Sequence, residues 1–152
     1  MSYGLPARIV GFQRCYQDAA KSLVLNGLAE RWGGLNENLN TDLNDIAGVY
    51  ANGHFLLAFC ENEVVGTGAL IHEAKGVMRV VRMSTGASMR HRGIGSQILN
   101  ELIRIARSSG CHQVVLETTS TWNDAVQFYL NRGFRIVDER EGDTHFVLDL
   151  TC

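Results

Sequence analysis

A seven-residue loop containing two glycines most constrains how this chain can fold. It follows a strand pattern at Val77–Thr85 and extends into the start of an amphipathic helix pattern at Gly93–Arg107. The first amides of a helix have no partner within the helix, and the helix dipole favours an anion there. Glycines let a ligand approach the backbone, and arginines add charge-assisted hydrogen bonds. We therefore predict a diphosphate-binding turn formed by Arg90, His91, Arg92, Gly93, Ile94, Gly95 and Ser96.

The chain after this loop predicts a parallel strand–helix–strand unit. Gly110 ends the helix, and Gln113–Thr118 is an apolar strand of the kind that is covered on both faces. A crossover of this length makes its two flanking strands parallel. A last helix, Asn123–Asn131, is expected to be capped by the Thr121-to-Asp124 spacing and to end before Gly133.

Antiparallel hairpins are predicted on both sides of that unit. The further strands are Ala7–Phe12, His54–Cys60, Val64–His72, Phe134–Val137 and His145–Leu150, and the further helices are residues 15–32 and Asp42–Tyr50, the second capped by Thr41. A chain of 152 residues has the usual size of one domain, and no linker or repeat divides it. We expect one α+β domain, residues 1–152, whose mixed sheet joins an antiparallel meander to a parallel pair and is flanked by about four helices.

Charge and composition narrow the class of partner. The net charge is −2 and the pI is about 6.2, without a basic face beyond Arg90–Arg92, so a nucleic-acid partner is not expected. The four cysteines are scattered and no histidine lies at zinc spacing beside them, so no metal is expected. No apolar stretch approaches the length of a membrane span. We expect a cytoplasmic protein without a membrane partner, and a homodimer is left open.

The loop by itself admits other interpretations. A solvated turn with exposed arginines would have the same sequence. A dinucleotide-binding loop needs a third glycine, and Ile98 occupies that position, although Glu117 falls about 20 residues further on as that motif requires. The glycine–lysine loop that binds nucleoside triphosphates is absent from the sequence. The diphosphate of coenzyme A remains the third interpretation.

Two motifs in order resemble the GNAT superfamily of N-acetyltransferases. Arg90-x-x-Gly93-x-Gly95 matches the acyl-CoA signature Arg/Gln-x-x-Gly-x-Gly/Ala. The family's second signature is similar to Leu116-Glu117-Thr118 followed by Asn123, Ala125, Phe128-Tyr129 and Gly133-Phe134. The preceding elements also fit, so the resemblance covers nearly the whole chain. It implies an acyl-CoA N-acyltransferase fold and an N-acetyltransferase that uses acetyl-CoA and no metal.

The resemblance also implies where the cofactor binds. In the family, the fourth and fifth strands splay apart and the pantetheine arm enters the gap. Backbone groups around Met83 and Thr85 would then bond the arm, and the loop Arg90–Ser96 would hold the diphosphate. Asn123 would reach the cofactor from the last helix; helix capping is its other interpretation.

The catalytic candidates come from the same motifs. Tyr129 is the candidate acid, because a phenol of pKa ~10 can protonate a departing thiolate whose thiol has a pKa of ~8.5. A core aromatic is the alternative for Tyr129. Many family members carry a glutamate near the start of the fourth strand, whereas Arg79–Arg82 contains no carboxylate. Glu117 acting through a water is the candidate base, with Glu73 as a second choice, and none of the five histidines has motif support.

We expect direct attack of a small-molecule or amino-acid amine on the thioester. A site without an obvious base favours an α-amine, since that amine is less protonated at neutral pH than a lysine-type amine. By analogy with relatives, the acceptor would be lined by Arg31, Trp32, Asn36, Glu37, Asn38, Asn40, Asp42 and Trp122. Two alternatives stay open: a non-catalytic acyl-CoA-binding sensor, which the missing glutamate supports, and a dinucleotide-dependent oxidoreductase.

Overall fold

The computed structural model describes residues 7–34 and 39–150. Its strands are β1 (Arg8–Gly11), β2 (His54–Cys60), β3 (Glu63–Ala74), β4 (Val77–Thr85), β5 (Gln113–Thr119), β6 (Arg135–Arg140) and β7 (Asp143–Asp149). Its helices are α1 (Gln17–Trp32), α2 (Ile46–Val49), α3 (Ile94–Ser108) and α4 (Asn123–Asn131). The strands form one seven-stranded sheet in the order β1-β2-β3-β4-β5-β7-β6. The pair β4–β5 is parallel, whereas β1–β2, β2–β3, β5–β7 and β6–β7 are antiparallel, so the predicted mixed α+β fold is confirmed.

The described residues group into two units, each considered by itself. The first contains the chain up to Ile71 together with Val81–Leu102. Its core is built from apolar residues of α1, α2, β2 and β3 and the turn before α2, namely Ala20, Val24, Leu43, Ile46, Phe55, Leu57, Phe59 and Ala69. Five consecutive residues of β2 are buried, as expected for a strand covered on both faces.

The second unit contains His72–Val80 and the chain from Ile103 onward. Met78 lies opposite Val114, and Leu116 lies opposite Phe146, so these four side chains build one buried face across β4, β5 and β7. The parallel ladder between β4 and β5 has three pairs and ends at Arg79 and Val115. Residues of β5 after Val115 therefore lie beyond the last of these pairs.

Glycines end the long helices where the sequence predicted. Gly33 after α1, Gly110 after α3 and Gly133 after α4 have φ of +72°, +81° and +91°. This left-handed conformation stops a helix, and a residue with a Cβ adopts it at a cost. In the hairpin between β6 and β7, positive φ at both Glu141 and Gly142 gives the turn that matches strand twist.

Two predicted caps are wrong. The helix expected over Asp42–Tyr50 is the single turn α2, and its cap is Asp45, whose carboxylate accepts a hydrogen bond from the Gly48 amide at 3.1 Å. Thr41 instead begins a 3-10 turn. At the start of α4 the cap position is occupied by Trp122, which makes no side-chain capping bond, and the Thr121 carbonyl accepts from the Asn123 amide at 3.0 Å.

Candidate functional site

The predicted phosphate loop turns sharply before α3. His91 and Gly93 have φ of +64° and +81°, and the helix begins at Ile94. The amide of Gln97 donates to the Gly93 carbonyl at 3.0 Å, which is the first hydrogen bond of the helix. The amides before Gln97 therefore precede the helical ladder and form the kind of helix start that binds anions.

Gly93 is surrounded by open space. A Cβ added there would meet no atom within 4 Å, so the glycine is required by its positive φ and not by crowding within the described chain. Open space at Gly93, directly before a long helix, fits the approach of a diphosphate. The residues of this loop therefore suit the diphosphate that the sequence predicted for it.

Arg90 has a partner that the sequence did not reveal. Its Nη2 lies 2.8 Å from Oε2 of Glu30 in α1, and both side chains are partly exposed. The Glu30 carboxylate therefore offsets part of the positive charge that Arg90 brings to the loop. His91 and Arg92 are exposed.

Two glycines of β3 let α3 approach the sheet closely. A Cβ on Gly68 would lie 2.5 Å from Cγ2 of Ile98 and 2.7 Å from Sδ of Met83. A Cβ on Gly66 would lie 2.8 Å from Cγ2 of Ile94. The start of α3 is thus fixed by close packing, and the Met83 side chain packs in the same layer.

Arg82, immediately before Met83, is held in a left-handed conformation with φ of +55°. This conformation costs a non-glycine residue about 1–2 kcal/mol and persists only where neighbouring contacts enforce it. The buried Thr67 hydroxyl donates to the Arg82 carbonyl at 2.8 Å. The Arg82 guanidinium donates to both carboxylate oxygens of Asp42, from Nε at 2.9 Å and from Nη2 at 2.5 Å, and to Asn40 at 3.0 Å. These contacts fix the backbone that leads into Met83 and Thr85.

The Asp42 carboxylate also accepts a hydrogen bond from the Tyr50 hydroxyl. Burial raises the pKa of Asp42, but hydrogen bonds from Arg82 and Tyr50 outweigh it and leave this pKa below its ordinary value. Burial, followed by the hydrogen bond to Asp42, raises the pKa of Tyr50 to about 12. The cluster is therefore an ion pair with a neutral phenol at neutral pH.

Two of the acceptor-lining candidates, Asn40 and Asp42, are thus engaged by Arg82 in this structure. Arg31 and Trp32 lie in the last turn of α1, and Trp122 precedes α4. The candidates Asn36, Glu37 and Asn38 lie outside the described residues.

In the second unit, polar side chains of β3, β4, β5 and β7 lie close together. Arg79 on β4 binds Glu73 through Nε, and its Nη1 lies 3.8 Å from Oε1 of Glu117. That Nη1 is buried and makes no hydrogen bond within the described residues. On the other side, Oε2 of Glu117 lies 3.4 Å from Nδ1 of His145. The candidate base Glu117 therefore stands between a guanidinium and an imidazole.

Tyr129 lies in an aromatic cluster on α4. Its ring is 5.1 Å from that of Phe128, 5.8 Å from that of Phe134 and 5.7 Å from that of Phe146, and the residue is 8% exposed. Phe146 projects from the face of the β5–β7 ladder that carries Leu116, because cross-strand partners share a face. Asn123 is exposed at the first position of α4.

Glu117 projects from the opposite face of that ladder. Its position follows Leu116 directly, and its cross-strand partner is His145, so both point away from Phe146 and the Tyr129 ring. The structure thus separates the candidate acid from the candidate base by the thickness of the sheet. Sequence periodicity could indicate the alternation, but the pairing of Glu117 with His145 required the register.

A shallow cavity of about 650 Å³ lies elsewhere in the first unit, lined by the end of β1, α2 and the start of β2. Its lining includes Phe12, Arg14, Tyr50, His54 and Phe55 but none of the predicted cofactor-binding or catalytic residues. Among residues 7–34 and 39–150, no group of three or more histidine, cysteine, aspartate and glutamate side chains is arranged to hold a metal ion. Within the same ranges, no helix combines the length and the apolar character needed to cross a membrane.

Known proteins with related sequences are N-acetyltransferases. N-acetyltransferase 8F1 of Rattus norvegicus is 31% identical over 109 residues, which is 67% of this chain and 49% of the rat protein. Aminoalkylphosphonate N-acetyltransferase of Salmonella typhimurium is 33% identical over 89 residues, 55% of this chain and 58% of that enzyme. The chain thus spans about half the length of these relatives.

Solved structures share the fold. An acetyltransferase of the GNAT family from Staphylococcus aureus Mu50 superposes with a TM-score of 0.88 at 22% identity, covering 95% of this chain and 99% of that one. PaiA N-acetyltransferase from Thermoplasma acidophilum, solved in complex with coenzyme A, gives 0.84 at 18% identity, covering 96% and 100%. The sequence model of the acetyltransferase (GNAT) family matches residues 9–134. The chain therefore belongs to the acetyltransferase (GNAT) family.

Proposed function

We propose that this chain is an acetyl-CoA-dependent N-acetyltransferase that moves an acetyl group to a small-molecule or amino-acid amine by direct attack on the thioester. The observation that carries the proposal is the loop at the start of α3, where left-handed His91 and Gly93 precede the first helical hydrogen bond and Gly93 faces open space. Helix starts of this kind bind phosphate groups. Family membership and the coenzyme A complex of the Thermoplasma neighbour support the same ligand class.

In this proposal the loop Arg90–Ser96 binds the diphosphate, backbone groups near Met83 and Thr85 bind the pantetheine arm, and Asn123 reaches the cofactor from α4. Arg82 supports the strand segment by holding the kink before Met83. Close packing of Ile98 against Gly68 fixes the helix start relative to that segment.

The proposed reaction needs two proton transfers. The attacking amine must lose a proton, and the departing thiolate must gain one. We assign Tyr129 as the acid for the thiolate and Glu117 as the base for the amine. Because the two residues lie on opposite faces of the β5–β7 ladder, this assignment requires the thioester to lie at an edge of the strands that both side chains can reach.

The acceptor is proposed only as a class. The Salmonella relative is named for an aminoalkylphosphonate, a small amine that carries an anionic group. A small-molecule amine of low pKa fits a site that has no carboxylate on Arg79–Arg82. One domain over residues 1–152 and a cytoplasmic location stay predictions.

The test is thiol release from acetyl-CoA in the presence of a panel that pairs α-amino acids, aminoalkylphosphonates and alkyl diamines. We expect turnover with at least one amine and a preference for amines of low pKa at neutral pH. Binding of acetyl-CoA without turnover across the panel would instead identify an acyl-CoA sensor. Stronger binding of NAD(H) than of coenzyme A would point to an oxidoreductase.

The chain offers a matched pair of variants for the loop. Gly93 and Gly110 both have φ of +81° and both face open space, so an alanine at either position carries the same backbone strain, ~1 kcal/mol. We expect Gly93→Ala to weaken acetyl-CoA binding at least ~10-fold, since its methyl group occupies the approach to the amides. Gly110→Ala should bind as the wild type does. Equal affinities in calorimetry for the two variants would remove the loop from the site.

A further inference from the structure

We infer that His145 is a positioning and proton-relay residue behind Glu117, so that the two side chains act as one coupled base for the acceptor amine. This inference rests on the proposed N-acetyltransferase function and adds a residue to which that function had assigned no role. It also gives the reaction a base, although Arg79–Arg82 contains no carboxylate.

The geometry of the pair is set by strand register. Glu117 and His145 are direct partners in the antiparallel β5–β7 ladder, and Nδ1 of His145 lies 3.4 Å from Oε2 of Glu117. The Glu117 side chain is 46% exposed, whereas that of His145 is 14% exposed. The carboxylate is therefore the member that meets solvent or substrate, and the imidazole stands behind it.

Glu117 also lies at the point where β5 leaves β4. The last parallel pair is Arg79 with Val115, and Glu117 is two residues further along β5. Glu117 therefore lies on the part of β5 that is no longer paired with β4.

Other charged groups surround the pair. Nη1 of Arg79 is 3.8 Å from the second carboxylate oxygen of Glu117, and Arg79 is itself bound to Glu73. Asp138 is the partner of His145 on β6, and its carboxylate accepts from Arg140 at 2.6 Å. The Arg79 guanidinium has no site that can accept a proton, so a proton that leaves Glu117 needs another place to go.

The imidazole of His145 can accept the proton from Glu117. Carboxyl groups ordinarily titrate near pKa ~4.3 and imidazoles near ~6.5, so a proton is held more firmly by histidine than by glutamate at neutral pH. A base works best when its pKa lies near the working pH. At 3.4 Å the two side chains are close enough for a proton to pass from the carboxylate to the imidazole, directly or through one water.

The proton balance is simple. The acceptor ammonium loses two protons in the overall reaction. One passes to Glu117 and on to the unprotonated Nδ1 of His145, and the imidazolium then releases a proton to solvent. The amine lone pair forms the C–N bond as the C–S bond of the thioester breaks, and the second proton ends on the thiol.

The experiment compares His145→Gln with His72→Gln, an exposed histidine on β3, by thiol release from saturating acetyl-CoA with the best amine of the panel. We expect His145→Gln to lower kcat at neutral pH at least ~10-fold and to move the acidic limb of the kcat/KM profile downward by about one pH unit or more. Affinity for acetyl-CoA should not change, and His72→Gln should match the wild type. Glu117→Gln should be impaired more strongly, and adding His145→Gln to it should cost little more.

A His145→Gln profile that superimposes on that of the wild type would overturn the inference and leave the proposed function intact. Absence of turnover in the wild type would remove both. A second measurement does not depend on turnover: the NMR signals of the His145 imidazole nitrogens are compared in the wild type and in Glu117→Gln. The contact predicts that the Nδ1 signal moves in Glu117→Gln, and an unchanged signal contradicts it.

Discussion

Arg79 and Arg82 lie three residues apart on β4, yet their surroundings differ in kind. Arg82 is fully engaged: it binds both oxygens of Asp42, it binds Asn40, and its own carbonyl accepts from Thr67. Arg79 binds Glu73, approaches Glu117 at 3.8 Å, and keeps a buried nitrogen without a hydrogen bond in the described chain. The contacts of Arg82 fix a backbone segment, whereas Arg79 keeps an N–H donor that no described residue uses.

The largest expected effect is loss of the Asp42 carboxylate. Asp42→Ala leaves Arg82, whose side chain is 18% exposed, without its counter-ion, and we expect unfolding to become easier by about 3–5 kcal/mol. Urea unfolding measures the change. A loss under about 1 kcal/mol would show that the contacts of Arg82 stabilise the fold no more than those of Arg79.

The pH dependence of stability tests the same ion pair between Asp42 and Arg82. The folded-state pKa of Asp42 is lowered, so its contribution is present above the ordinary aspartate pKa and is lost as pH falls below ~4. The wild type should therefore be more stable than Asp42→Asn at neutral pH, and the difference should shrink steadily in acid. A difference that is constant from neutral pH to pH ~3 would contradict the ion pair.

An intermediate effect is expected at Thr67. Thr67→Val keeps the shape of the side chain but removes the donor to the Arg82 carbonyl, so we expect a loss of about 1–3 kcal/mol. Because the kink at Arg82 precedes Met83, the KM for acetyl-CoA should rise while the KM for the amine stays near its wild-type value. Unchanged KM values for both substrates would separate the kink from cofactor binding.

The smallest effect is expected on the Arg79 side. Glu73 is 38% exposed, and exposed ion pairs stabilise proteins by only about 0–1 kcal/mol, so Glu73→Gln should unfold almost as the wild type does. The thermal midpoint checks this. A loss as large as that of Asp42→Ala would abolish the contrast between the two arginines.

Local patterns predicted the elements that build the site, but not the contacts between them. The bounds of β2, β4 and α4 were predicted correctly, because turn glycines and apolar periodicity mark them in the sequence itself. The caps predicted from Thr41 and Thr121 were wrong because sequence spacing does not show which residue directly precedes the first helical turn, and Asp45 and Trp122 occupy those positions.

The contacts within the charged clusters could not be predicted from the sequence, for a different reason. Arg82 and Asp42 are 40 residues apart in the chain, so their pairing depends on tertiary packing. The partnership of Glu117 and His145 depends on the register of β5 with β7, and a shift of one residue would place the two side chains on opposite faces. The five histidines carried no motif, and only this register singles out one of them.

The Glu30–Arg90 ion pair gives the loop an unusual response to ionic strength. Salt screens attraction between an anionic ligand and Arg90, but it also weakens the ion pair with Glu30 that competes with the ligand. The two effects oppose each other, so we expect binding at Arg90 to change less with salt than binding at an unpaired arginine.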